Sequence, residues 1–555
     1  MVTVAEVSER YVQKNAELDP TWALFAGVEA RARLSDQSPE GHRARAELAR
    51  GTLRLLESAE EVDEAGRLGR LFLDGELRGE LELYEAGEHE RHVSALDGAQ
   101  AVIRQVFDLL PRSSEADWTA LSECLADVPR AVMQYRATLE AGAAAGRVPS
   151  RRLVGAVAEQ CETWAGSSGA GWFSKLARHY GDGPLASRLA KLASSADASY
   201  GELAQWLRTG YSSRACAEDG VGEERYRAWA RQTLGQELDV EDAYLWGWDE
   251  LGRLEAEQST EAGRVSPGAS YDQVVAQLSL DRARGIEGVD AWRAWLQDLT
   301  DRTVASLDGE HFEIAPQLRV CEICVPPEGS AATPYYTPPG DGFARPGRVW
   351  FPTVGRSWFP TWDLPTTVFH EAVPGHHLQI GQARLLPLTR AHQVGMSSGH
   401  AEGWALYAER FMDEIGSFEK PEFRLGFLSM QAFRAARVVV DIGLHTGRRI
   451  PAGWPSAGET WSYELAVEYI QRASGLDRAF SESEVLRYLS LPSQATCYKL
   501  GERAWLEGRE AAKRRANGSL DLKRWHKEAL ALGSLGLGAL VPELVRIAAS
   551  QGEHG

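Results

Sequence analysis

Five of the thirteen histidines, His370, His376, His377, His392 and His400, fall within a window of 31 residues. The first opens the run His370-Glu371-Ala372-Val373-Pro374-Gly375-His376-His377. In the HExxH zinc signature, histidines four apart share one helix face and one metal, and the adjacent Glu is general base toward the activated water. Here position i+4 is Pro374, and the next histidines come at i+6 and i+7. A regular helix would return His377 to the phase of His370, but about 10.5 Å along the axis at roughly 1.5 Å per residue, an awkward span for one ion. Proline removes a backbone donor and clashes with the preceding turn, which favours a distortion at Pro374-Gly375 that brings in His376. His377 stays open as the alternate ligand or as a donor to an oxyanion.

A third ligand is expected from the segment Ser397-Ser-Gly-His400-Ala-Glu402-Gly403-Trp404-Ala-Leu-Tyr407-Ala-Glu409. Glu402 stands near the start of an amphipathic helix, and Gly403 permits close approach. Glu409 lies at i+7 on the same face, placed to hydrogen-bond a ligand. Each histidine alone is as well explained by a helix contact in the core. Together, His370, His376 and Glu402 form a His2Glu set with an open fourth position, which points to one Zn2+ ion, with Glu371 as the base.

These side chains must be carried by helices. Asp363 is a candidate N-cap ahead of the first, and Pro365 suits its first turn. Proline divides the chain, with seven in the first 310 residues and twelve between Pro316 and Pro387. Residues 1–310 show helical apolar spacing, as in Asp117 to Ala141 and Asp290 to Leu307, and are expected to form one helical region. Residues 311–555 form the expected catalytic region: a small sheet in 311–362, metal-binding helices in 363–416 and further helices in 425–549.

With 60 Lys+Arg against 79 Asp+Glu, the net charge of −19 opposes binding to nucleic acid or to an anionic membrane surface. The first residues carry acids where a signal peptide needs an apolar run, so a cytoplasmic location is expected. Six cysteines are too few for a disulfide scaffold, and Cys321-Glu-Ile-Cys324 lacks the second pair of a zinc ribbon.

The runs HExxPGHH at His370–His377 and EGWALYxE at Glu402–Glu409 resemble the marks of the bacterial domain-of-unknown-function family 885. The likeness continues through Arg437–His445 and Pro492–Gly501, covering most of the chain. More distantly, the arrangement is similar to the helical zinc peptidases related to thimet oligopeptidase and carboxypeptidase Taq. That likeness implies a mainly α, zincin-like (gluzincin) fold with a deep channel and a small sheet beside the metal, for which Gly347 to Val354 would be the edge strand. It also implies a Tyr or His donor opposite the metal, for which Tyr498 and His445 are the candidates.

Gln494 and Tyr498 share a helix phase, as do Arg437, Asp441 and His445, so either set has the phase to face a cleft. Arg437 and Gln494 are candidate substrate contacts, Asp441 a supporting group, and Arg437 or Lys499 an anchor for a substrate terminus. Tyr335 and Tyr336, in a Pro-rich aromatic loop, are candidates to line the channel. The expected function is zinc-dependent hydrolysis of short peptides, of oligopeptidase or carboxypeptidase type. The rivals are a metal-dependent amide hydrolase or amide-forming enzyme on a small metabolite, and a catalytically silent helical binding protein.

Overall fold

The computed structural model describes residues 2–326 and 333–549. Residues 327–332 of the expected sheet region and 550–555 at the end of the expected catalytic region lie outside them. The protein is mainly α, and the helices form where apolar spacing places them. The Asp117 to Ala141 run lies within the helix Glu115–Ala144 and Asp290 to Leu307 within Val289–Leu307, while residues 363–549 carry among others the helices Ser398–Glu414, Pro421–Thr446 and Cys497–Arg515. Ser114 caps the helix Glu115–Ala144, in a capping box with Asp117 at the third position, because the Ser hydroxyl accepts from Asp117 N while the Asp carboxylate accepts from Ser114 N.

One hydrophobic cluster extends from Val4 to Ala548 and draws on both the 1–310 and 311–555 regions. The helix Val240–Val265 lies along Pro421–Thr446, and Ser398–Glu414 lies along Cys497–Arg515. The second pair meets at glycines. A Cβ on Gly403 would come within 2.5 Å of the backbone of Gly501, so the helices touch backbone to backbone. Gly403 thus brings its helix against the one that carries Tyr498.

The sheet region holds a three-stranded sheet in which Gly347–Trp350 is central, parallel to Cys321–Cys324 and antiparallel to Tyr335–Thr337. The expected edge strand is therefore an interior strand, paired on both sides. Cys321–Cys324 is bracketed on its other edge by Gln297, whose side chain donates to Cys321 O and accepts from Ile323 N. Gly285–Glu287 and Trp358–Pro360 form a separate antiparallel pair. No helix among the described residues is long and apolar enough to cross a membrane.

Candidate metal centre

The motif helix Leu364–Glu371 ends one residue after His370, and a new helix, His376–Ala383, begins at the second histidine. Asp363 precedes the first helix as its N-cap residue but makes no capping hydrogen bond, and Pro365 sits in its first turn. The chain leaves helical geometry at Ala372 and Gly375. A Cβ on Gly375 would fall 1.9 Å from the carbonyl oxygen of His370, so the turn folds directly onto the backbone of the first histidine. Trp404 Nε1 donates to Pro374 O at 2.9 Å and ties the turn to the helix Ser398–Glu414. Proline at i+4 thus breaks the helix outright, and the break swings His376 back toward His370.

His370, His376 and Glu402 come together, each offering one ligand atom, all within 4.8 Å of one another. Glu402 Oε2 is 3.4 Å from His370 Nε2 and 3.5 Å from His376 Nε2. Those spacings are long for hydrogen bonds and close to the roughly 3.3 Å edge of a tetrahedron with bonds of about 2.0–2.1 Å. Glu402 Oε2 is buried without a good hydrogen-bond donor among the described residues. The donor set fits a small divalent cation.

Glu409 orients the first histidine. Its carboxylate, fully buried, accepts from His370 Nδ1 at 2.7 Å, from Thr366 Oγ1 at 2.6 Å and from Gln431 Nε2 at 3.4 Å, with Arg434 Nη2 at 3.5 Å. Burial would raise its pKa, but Arg434 and His370 outweigh it and hold the carboxyl below the usual range. A carboxylate on Nδ1 fixes the proton there and leaves the Nε2 lone pair for Glu402's side of the site. Burial pushes the His370 imidazolium down, yet the adjoining Glu402 and Glu409 carboxylates lift it to about 9, and a cation at Nε2 competes with that proton. Glu402, despite burial, is held well below the carboxylate range by the two histidines. Thr366 and Arg434 escaped the sequence reading; Thr366 precedes His370 by one helical turn, while nothing marks Arg434. Glu409→Gln is expected to weaken zinc binding about 10–100-fold, read by chelator competition.

Glu371 is buried, and its carboxylate has no hydrogen bond or ion pair with another described residue. Tyr498 lays its ring beside that of His370, centroids 6.3 Å apart and nearly parallel. Burial and the charge of Glu402 push its phenol up to about 12, so the hydroxyl is a standing donor. Arg437 lies over the Tyr498 ring at 4.7 Å and pairs with Glu484 at 2.8 Å. Arg487 shares Glu484, at 2.9 Å, and also donates to Gln494. Two guanidinium groups on one carboxylate leave excess positive charge beside Tyr498, and Arg487 was not foreseen.

Other expected residues lie elsewhere. His377 is not an alternate ligand: its Nε2 faces Leu318 O at 3.0 Å and its Nδ1 the Tyr336 hydroxyl at 3.1 Å, which occupies both ring nitrogens. Burial pushes its pKa down to about 4. It clamps the sheet to the second motif helix, and Tyr336 is committed to that clamp. Tyr335 stacks on Trp350 across the sheet. Lys499 cannot anchor a substrate, because its ammonium is buried among Glu250, Gln431 and Glu502.

His445 and Asp441 belong to a separate buried contact and are not at the centre. His445 Nε2 donates to Tyr488 O at 3.0 Å, while Asp441 Oδ2 accepts from the Tyr226 hydroxyl at 2.6 Å and Ser493 N at 2.9 Å. Helix phase chose the right face, but that face meets the helix Glu223–Leu234 rather than the metal site. Burial lifts Asp441 to about 7. A carboxyl raised in the folded state favours folding below its unfolded pKa and loses that contribution as pH climbs to about 7. Asp441→Asn, which keeps an acceptor for Tyr226 and Ser493, is therefore expected to raise folding stability at and above neutral pH, by an amount on the order of 2–4 kcal/mol, and to change it little near pH 4. Thermal melts across that range check it.

The family described as bacterial protein of unknown function (DUF885) matches residues 20–544. No curated protein matches the chain. Among solved structures, a "putative lipoprotein" from Colwellia psychrerythraea superposes with a TM-score of 0.86 at 20% identity, over 99% of this chain and 100% of that one. A "putative lipoprotein of unknown function" from Shewanella oneidensis gives a TM-score of 0.74 at 16% identity, over 98% and 99% of the two chains. At these identities the likeness is one of fold. The expected cytoplasmic location is corrected by these relatives, since a lipoprotein is held at a membrane. The expectation had rested on the acids among the first residues, which by themselves do not fix a location. The match over 20–544 nonetheless settles kinship: the chain belongs to the DUF885 family of bacterial proteins.

Proposed function

We propose that the protein is a zinc-dependent metallopeptidase that hydrolyses peptide bonds of short peptides, of oligopeptidase or carboxypeptidase type. The observation that carries this reading is the convergence of His370, His376 and Glu402 within 4.8 Å, with Glu409 fixing the tautomer of His370. On this reading the helices form a gluzincin-like body around a channel that admits extended chains and excludes folded ones.

A zinc ion held by His370, His376 and Glu402 would supply Lewis acidity to the scissile carbonyl and to water. Glu371, adjacent to the first ligand, takes a proton from water and returns it to the leaving amine. The Tyr498 hydroxyl donates to the carbonyl oxygen as negative charge develops there. Arg437 and Arg487 draw a substrate carboxylate toward Tyr498, which favours peptides cleaved near their C-terminus.

Incubating the zinc-loaded protein with a library of two- to ten-residue peptides, beside N-acyl amino acids, tests the reading by mass spectrometry. Cleavage of peptides with free C-termini is the expected result. Turnover confined to the acylated amino acids, or no turnover of either set, would overturn it.

A further inference from the structure

The geometry points to a second binding site, in the N-terminal half, for an organic amine that carries an apolar body. A cavity of about 560 Å3 opens there. Its walls include Tyr11, Trp22, Tyr84 and Trp229, drawn from four helices, together with His42 and Glu80. None of His370, His376, Glu402 or Tyr498 is among them. The volume lies within the range in which proteins enclose small molecules, and the lining combines aromatic faces with a polar group, as such sites require.

Glu80 sets the sign of the ligand. Its carboxyl is exposed to the cavity while hemmed in by protein, and it makes no hydrogen bond or ion pair with another described residue. Glu76, one turn earlier on the same helix, is also without a hydrogen bond or ion pair among the described residues. Burial and the charge of Asp19 push Glu80 up to about 7, and burial and Glu80 push Glu76 up to about 8. The cations nearby are engaged. Arg45 donates to Asp36 O at 2.9 Å, meets His42 Nδ1 at 3.1 Å and lies 3.7 Å from Asp19. His42 itself is pushed down to about 2 by burial and Arg45, so it stays neutral. His92 is paired with Asp97 at 3.1 Å, and Glu88 is taken by Arg225 and Trp229.

The cavity therefore presents a carboxyl without a hydrogen-bonding partner among the described residues, with only the charge of Arg45 acting on it from a distance, beside electron-rich rings. An ammonium group satisfies both, by an ion pair with Glu80 and by attraction to the faces of Trp and Tyr. A neutral or anionic ligand of the same shape leaves Glu80 unpaired, or repels it. The site does not depend on the metal centre or on peptidase activity.

Phenethylamine, 2-phenylethanol and phenylacetate, titrated calorimetrically into the full chain, test the inference. Phenethylamine should bind one per chain and the other two at least tenfold more weakly. Glu80→Gln should weaken phenethylamine at least tenfold, and stripping bound metal from the unaltered protein with EDTA should leave its Kd within twofold. In crystals of the unaltered protein soaked with 4-bromophenethylamine, the bromine signal should fall inside the cavity, independently of how any variant folds. Equal affinity for 2-phenylethanol, an unchanged Kd in the folded Glu80 variant, loss of binding on EDTA treatment, or bromine located only at the metal centre would each overturn the proposal.

Discussion

Glu371→Gln is expected to keep one equivalent of zinc and to lose peptide hydrolysis by about 10²–10⁴-fold in kcat. Glutamine preserves the shape of the side chain but cannot take a proton from water. Glu371 has no structural partner among the described residues that the substitution would break. Its Tm should therefore stay close to that of the parent. Metal content by elemental analysis and single-turnover kinetics read the two halves separately. An active Glu371→Gln protein would assign the base to another residue.

His370→Ala should have a second large effect, of another kind. It removes a ligand, the hydrogen-bond partner of Glu409 at 2.7 Å and the imidazole that lies 3.4 Å from Glu402. Zinc binding should fall by more than about 100-fold, since both the ligand and the group that orients the site are lost. The metal-free protein should lose stability as well, by about 3 kcal/mol, because Glu409 is fully buried and, among the described residues, keeps Arg434 alone to balance its charge. His377→Ala is the matched control. It breaks the contacts to Tyr336 and Leu318 O and should lower Tm while retaining zinc. Denaturant titrations and chelator competition on the two variants distinguish a ligand from a clamp.

The contrast between these neighbouring histidines shows what a sequence can carry. Residue types and helix phase picked out His370, Glu402 and Glu409, because they stand within about forty residues of one another, on the motif helix Leu364–Glu371 and on Ser398–Glu414. The choice between His376 and His377 depended on a turn that helical phase cannot describe. There Gly375 packs on the carbonyl of His370, and the second helix starts afresh. His445 and Asp441 were misplaced for a related reason. Periodicity says which residues share a face but not which neighbour that face meets, and here it meets Tyr226 and the turn at Ser493. Gly347–Trp350 was legible as a strand, yet its interior place depends on Tyr335–Thr337, a run too short to announce itself. Arg434 and Arg487 lie where the packing of distant helices puts them, and no spacing rule reaches that far.

Fold class was the most legible property, because apolar spacing alone decides helix against strand over long runs. Cellular location was the least, because its only support in the sequence was the acids among the first residues.

The central claim is that His370, His376 and Glu402 hold one zinc ion. Anomalous diffraction from zinc-loaded crystals, collected on both sides of the zinc edge, tests it most directly. The account predicts a single strong peak about 2.0–2.2 Å from both Nε2 atoms and from a Glu402 oxygen. A map with no peak among these three side chains, or one whose peak is ligated by His377 in place of His376, would contradict it.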